Sequence, residues 1–207
     1  MVKDRNALDL EELLEHDLQD AGIRVIMDLV AQHSWWVSTK VYREIQVVYP
    51  RTRRKKGITE KRGQIVNGIR FWDNQPASYA FWMALGKDRK NVSNFYVCHI
   101  YEESVWDPNH FTNLANLTAF PKCLQSLSEW NPVREVLKYH SFKVFGYEGP
   151  KSIEPPCPKC YPLIWRHHGD LSLKEFESVI VRLREQKARR PQFKSFEEIV
   201  EATNYHE

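Results

Sequence analysis

Residues 98–130 read CHIYEESVWDPNHFTNLANLTAFPKCLQSLSEW, and the order of residue types along this stretch decides the fold. It is entered through NFYVCHI (94–100), whose β-branched and aromatic content favours a strand that delivers His99 at its end. A polar loop containing Asp107-Pro108-Asn109 comes next, and ANLTAF (115–120) forms a second short apolar piece that an Asn-Leu pair introduces. Pro121 then opens KCLQSLSEW as a helix, since proline is pre-organised for a first helical turn. Strand, histidine, loop, strand and helix thus succeed one another within a short span.

That order suits phosphodiester hydrolysis. The reaction needs a water made nucleophilic and a cation to offset charge building on the phosphoryl oxygens. A neutral imidazole can take the proton from water if its other nitrogen is held by a carbonyl, which fixes the tautomer. Magnesium prefers oxygen ligands and keeps several waters, so one or two side chains suffice to hold it. Asn116 lies seventeen residues beyond His99, and Gln125 nine beyond Asn116.

The segment resembles the HNH, or ββα-metal, superfamily. In that pattern His99 matches the general base, Asn116 the central asparagine and Gln125 the metal-binding helix position. The resemblance implies an α+β fold: a ββα-metal finger core with a small antiparallel sheet and surrounding helices. PRTRRKKGITEKRG, DNQPASYAFWMALG, CHIY, NLTAFPKCLQSL and YPLIW, spanning roughly residues 49–166, are similar to longer members that include type II restriction endonucleases. The resemblance further implies a magnesium- or manganese-dependent endonuclease that cuts double-stranded DNA, leaves 5′-phosphate ends and works as a homodimer on a two-fold symmetric site. Where many members carry an Asp or His metal ligand before the base, this chain has Cys98, a poor partner for magnesium. Either a single amide holds the cation, or Asn113, Asp107 or His110 from the loop contributes. Asn116 itself either binds metal or ties the loop together through backbone hydrogen bonds.

Outward from the finger, RTRRKKGITEKR (51–62) carries seven basic residues against one acid. Such a run repels itself unless something anionic lies against it, so Arg51, Arg53, Arg54, Lys55, Lys56, Lys61 and Arg62 are candidate DNA contacts. These arginines, or Arg70, could read guanine edges. Leucines at three- and four-residue steps predict a helix over 7–33, with Gly22 a potential break. Val37 to Tyr49 reads as a strand, Gly63 to Trp72 as a returning strand, and Pro76 to Gly86 as a helix. Asn131-Pro132 suggests an N-cap and first turn for a helix to about His140. In the tail, Ser172 with Glu175 and Ser195 with Glu198 form capping boxes, with Leu173, Phe176, Ile180 and Leu183 on one apolar face. Trp35-Trp36 and Phe71-Trp72 read as core or subunit interface, and Cys123 as core filling.

The division is 1–48 (N-terminal helices), 49–93 (basic region and helix), 94–148 (nuclease core) and 149–207 (Pro-rich connector and C-terminal helices), all within one compact domain. Cys157-Pro-Lys-Cys160 could form a structural zinc knuckle with His167 and His168. On that alternative the chain is a non-catalytic nucleic-acid-binding module; a nonspecific toxin nuclease is a further option within the enzyme class. A hydrophobic fraction of 42% with 28% charged residues excludes disordered and fibrous classes, and a net charge of +3 alone specifies no partner. No apolar run is long enough to span a bilayer and the start, MVKDRNALDLEELL, lacks a signal pattern, so no membrane association and a cytoplasmic location are expected.

Overall fold

Trp35 and Trp36 form an interior strand of a four-stranded sheet, with Trp36 buried. The computed structural model describes residues 20–49, 51–54, 62–66 and 69–188. Helix α1 (Asp20–His33) leads into strand β1 (Trp35–Trp36), then helix α2 (Thr39–Glu44). Strands β2 (Arg51–Arg53), β3 (Ile65–Val66) and β4 (Ile69–Trp72) precede helix α3 (Gln75–Ala84). A hairpin of β5 (Phe95–His99) and β6 (Leu117–Pro121) is followed by a 3-10 helix over Lys122–Glu129 and helix α4 (Asn131–Phe145). Strand β7 (His167–His168) and helix α5 (Leu173–Ala188) complete an α+β fold.

The main sheet runs β5-β6-β1-β7, antiparallel except for the parallel β1/β7 pair. Its hairpin register pairs Cys98 with Thr118 and His99 with Leu117. A smaller sheet, β2-β4-β3, carries Arg51 opposite Arg70. One continuous hydrophobic core extends from Met27 in α1 to Leu183 in α5, with Trp36 fully buried in it. The Trp36 indole N–H donates to Ser34 Oγ at 3.1 Å, and its ring meets His140 edge-on at 4.6 Å. His140 in turn stacks on Trp165 at 3.5 Å and bonds the Tyr161 hydroxyl at 2.7 Å, which pins the 161–165 segment against the core. Leu163 and Ile164 of the same segment face solvent.

Several local expectations are corrected. Val37 to Tyr49 is not one strand: α2 occupies its middle because Ser38 caps it, accepting from Lys40 N–H at 3.2 Å, while Val41, Tyr42 and Ile45 bury one helical face. Gly22 does not break α1. The cap of α4 is Trp130 rather than Asn131, and the helix runs on to Gly146, whose φ of +67° closes it. The Ser172–Glu175 capping box forms as expected, with Ser172 N–H donating to the Glu175 carboxylate at 2.9 Å. Ile180 and Leu183 are buried, but Leu173 is 74% exposed. Residues 1–19 and the box at Ser195 and Glu198 lie outside the described residues. Among the described residues no helix is long and apolar enough to cross a membrane.

Candidate active site

Strand β5 ends at His99, and the loop from Ile100 to Asn116 folds back over the imidazole. His99 Nε2 lies 2.9 Å from the carbonyl oxygen of Phe111. A carbonyl only accepts, so Nε2 carries the proton and Nδ1 keeps its lone pair, which is the tautomer a general base requires. The Phe111 ring stacks on the imidazole with centroids 5.1 Å apart and planes 18° from parallel. Burial is the main influence on His99 and lowers its pKa to about 4; the Phe111 bond opposes this and the nearby Arg53 charge reinforces it. The ring is neutral throughout the physiological range, yet it stays half-buried rather than sealed.

What holds the Phe111 carbonyl there is Asn116. This residue is fully buried, and its carboxamide oxygen accepts from Tyr101 N–H at 3.1 Å. Its amide donates to Ser104 Oγ at 2.6 Å and to the His110 carbonyl at 3.0 Å. Asp107 tightens the same turn, accepting from Asn109 N–H at 2.7 Å through its side chain and from Phe111 N–H at 2.8 Å through its carbonyl. Of the two roles the sequence leaves open for Asn116, the geometry supplies the loop tie: both polar atoms of its carboxamide are bonded to the loop.

Asn113 and His110, two of the other predicted metal ligands, have protein partners for their side chains. Asn113 caps a short 3-10 turn, accepting from Ala115 N–H at 3.0 Å, and is buried. His110 Nδ1 bonds the Tyr147 hydroxyl at 2.6 Å, and its Nε2 lies 3.7 Å from Asp107. Gln125 is half-buried on the 3-10 helix and its main-chain carbonyl accepts from Ser128 Oγ at 2.7 Å. Cys98 points away from His99, as strand alternation requires; its thiol is buried, donates to the Thr118 carbonyl at 3.7 Å and is pushed up to about 12 by burial. Among the described residues no three His, Cys, Asp or Glu side chains converge on one point. The donor set expected for magnesium therefore does not fit around Asn113 and Asn116, whose oxygens already have protein partners.

Of the expected zinc set, the side chains of His167 and His168 lie outside the described residues. Cys157 is exposed and engages the Tyr139 hydroxyl, Cys160 is half-buried, and the backbones of His167 and His168 form β7. Cys123, expected in the core, is exposed.

The charge of Arg53, in the basic strand, reaches the imidazole. Arg53 and Arg54 are exposed and border a cleft of about 960 Å³ together with Trp72, Asn74, Tyr96 and Lys122. Arg51 is half-buried over the rings of Tyr49 and Trp72, at 5.0 and 5.5 Å. Arg62 lies 4.6 Å over Trp72 and donates to Gln75 Oε1 at 2.5 Å. Lys55, Lys56 and Lys61 lie outside the described residues, and Arg70 is exposed. Phe71 is buried as expected, whereas Trp72 is only partly so. Sequence reasoning assigns no role to Tyr147, Tyr96, Asn74 or Lys122, because their proximity to the site depends on tertiary packing. No family model, curated protein sequence or solved structure matches the chain.

Proposed function

We propose that this chain is an HNH-type endonuclease that hydrolyses phosphodiester bonds of double-stranded DNA, with His99 as general base. The carrying observation is the 2.9 Å contact between His99 Nε2 and the Phe111 carbonyl, which reserves Nδ1 for a water proton. In the step proposed, water oxygen bonds to phosphorus, one of its protons passes to Nδ1, and the bond to the 3′ oxygen breaks, that oxygen taking a proton from solvent to leave as the 3′-hydroxyl. Arg53, whose charge reaches the ring, is the residue this reading assigns to the phosphate. A base with a pKa near 4 accepts a proton weakly, and a bound phosphodiester corrects this by favouring the imidazolium. The ββα-metal finger is the reading of the β5–β6 hairpin and the helices after it that this function requires.

A divalent cation belongs to the proposal through the family resemblance, but Asn113 and Asn116 are not suited to hold it. Sequence-specific restriction and a homodimer are the finer expectations of the same reading. The zinc-knuckle alternative has less support, since Cys157 is turned to solvent and to Tyr139.

Incubating the purified protein with phage DNA and magnesium or manganese, beside His99→Ala, tests this. Discrete bands mean sequence-specific cutting and a smear means nonspecific cutting, each abolished by EDTA and by the substitution. Uncut DNA under both cations, or a His99→Ala variant that cuts as fast as the native protein, would overturn the proposal.

A further inference from the structure

The 960 Å³ cleft bordered by Arg53 has a composition that the hydrolytic step does not use. Its volume falls in the range of about 300–1,000 Å³ typical of small-molecule sites, so it admits one nucleotide but not a base pair within its stack. Cations mark its rim: Arg53 and Arg54 from β2, and Lys122 just past β6, where Lys122 N–H donates to the Asn94 carbonyl at 2.8 Å. Trp72, covered by Arg51 and Arg62, and Tyr96 both line it and are half-buried. The acid in the wall, Asp73, is occupied by Arg62 at 3.5 Å and by Gln75 N–H at 2.9 Å.

A second observation points to a ligand with polar edges. The Asn74 carboxamide oxygen is buried without a hydrogen-bond partner in a side chain that lines the cleft. An unpaired buried acceptor is costly, so this side chain gains by turning toward a donor brought in from outside. Nucleobases offer such donors on their edges and flat faces for the Tyr96 ring, and the phosphate that accompanies each base matches the rim.

We propose that this cleft is a nucleotide subsite: it takes one unstacked nucleotide of a DNA strand, its base against Tyr96 and its phosphate against Arg53 and Lys122. The inference rests on the reading that the chain engages DNA, but not on hydrolysis, and Arg53 links the subsite to His99. In a duplex the nucleotide must leave its stack, which is cheapest at a mismatched or easily unstacked step.

The test compares end-labelled hexathymidylate with a hexamer of the same charge whose sugars carry no bases, by fluorescence anisotropy with the full chain in magnesium-free buffer. Cation rims alone bind both equally. The subsite predicts that the base-bearing strand binds roughly tenfold more tightly, the scale of aromatic stacking on a base. Tyr96→Phe keeps that preference, Tyr96→Ala removes it, and Lys122→Gln weakens both strands alike. Equal affinity of the native protein for the two hexamers overturns the subsite whether or not Tyr96→Ala folds, as does a folded Tyr96→Ala that retains the preference. Since no cleavage is read, the outcome is independent of the nuclease assay.

Discussion

Replacing Asn116 by aspartate separates a loop tie from a metal ligand. In Asn116→Asp the retained oxygen can still accept from Tyr101 N–H, but the amide that donated to Ser104 Oγ and the His110 carbonyl becomes a second acceptor. Two hydrogen bonds are lost and a fully buried carboxylate faces a carbonyl. Each unsatisfied buried group costs about 1–3 kcal/mol, and an uncompensated buried charge about 3–5 kcal/mol, so the net loss at neutral pH is roughly 3–5 kcal/mol. Against a typical stability of about 5–15 kcal/mol, this is a large displacement of the urea midpoint followed by far-UV circular dichroism. The carboxyl's pKa is raised in the folded state, because protonation restores a donor toward the His110 carbonyl. The deficit is therefore smallest below the ordinary aspartate range and grows as pH rises through the folded-state value. A metal ligand behaves oppositely: aspartate is the better magnesium donor and would leave stability intact. An Asn116→Asp variant within about 1 kcal/mol of the native protein at pH 7.5 would refute the loop-tie argument.

The same geometry sets two further outcomes. His99 titrates in the unfolded chain near 6.5 and in the folded one near 4, so the unfolded state binds the extra proton between these values; stability is complete above pH 6.5 and is lost as pH falls toward 4, by on the order of 3 kcal/mol. Urea midpoints at pH 7 and pH 4 should show a steeper acid loss in the native protein than in His99→Gln, and parallel losses would show that burial does not suppress this ring's charge. Trp36→Ala removes a fully buried indole enclosed by His140, Phe145 and Trp165, at a cost of about 3–5 kcal/mol. A thermal midpoint unchanged by that substitution would contradict the placement of β1 at the centre of the core.

The hairpin is legible in the sequence because β-branched and aromatic runs flank a polar loop, and the histidine at its end stands out for the same reason. The role of Asn116 is not, since its partners Tyr101, Ser104 and His110 lie fifteen, twelve and six residues away, and only closure of the loop brings them to one carboxamide. Tyr147 is thirty-seven residues from His110 and equally invisible without packing. Over Lys122–Glu129 the mismatch is one of period. Leu124, Leu127 and Trp130 recur every third residue and turn inward together, as a 3-10 helix with three residues per turn requires. That phase carries Cys123 to the outside, where an α-helical reading places it in the core. The signal is present in the spacing of those three apolar residues. In Val37 to Tyr49 the β-branched content is real, but a serine cap at Ser38 outweighs it.

The positions of Cys98 and His99 are two consequences of a single register. With Cys98 opposite Thr118 and His99 opposite Leu117, strand alternation must send the two side chains to opposite faces of the hairpin. One face is closed: Cys98 rests against the Thr118 carbonyl, and Arg134 anchors α4 nearby through the Glu102 carboxylate at 2.9 Å and the Ser128 carbonyl at 3.3 Å. The other face carries the imidazole under the Phe111 carbonyl, beside Arg53. A residue at position 98 therefore cannot share a water or an ion with Nδ1 unless the hairpin shifts, and a one-residue shift would bury the histidine in place of the thiol. The chemistry proposed for His99 must then come from its own side of the strand and from whatever the substrate brings, with Arg53 the charge of the basic segment that reaches the ring.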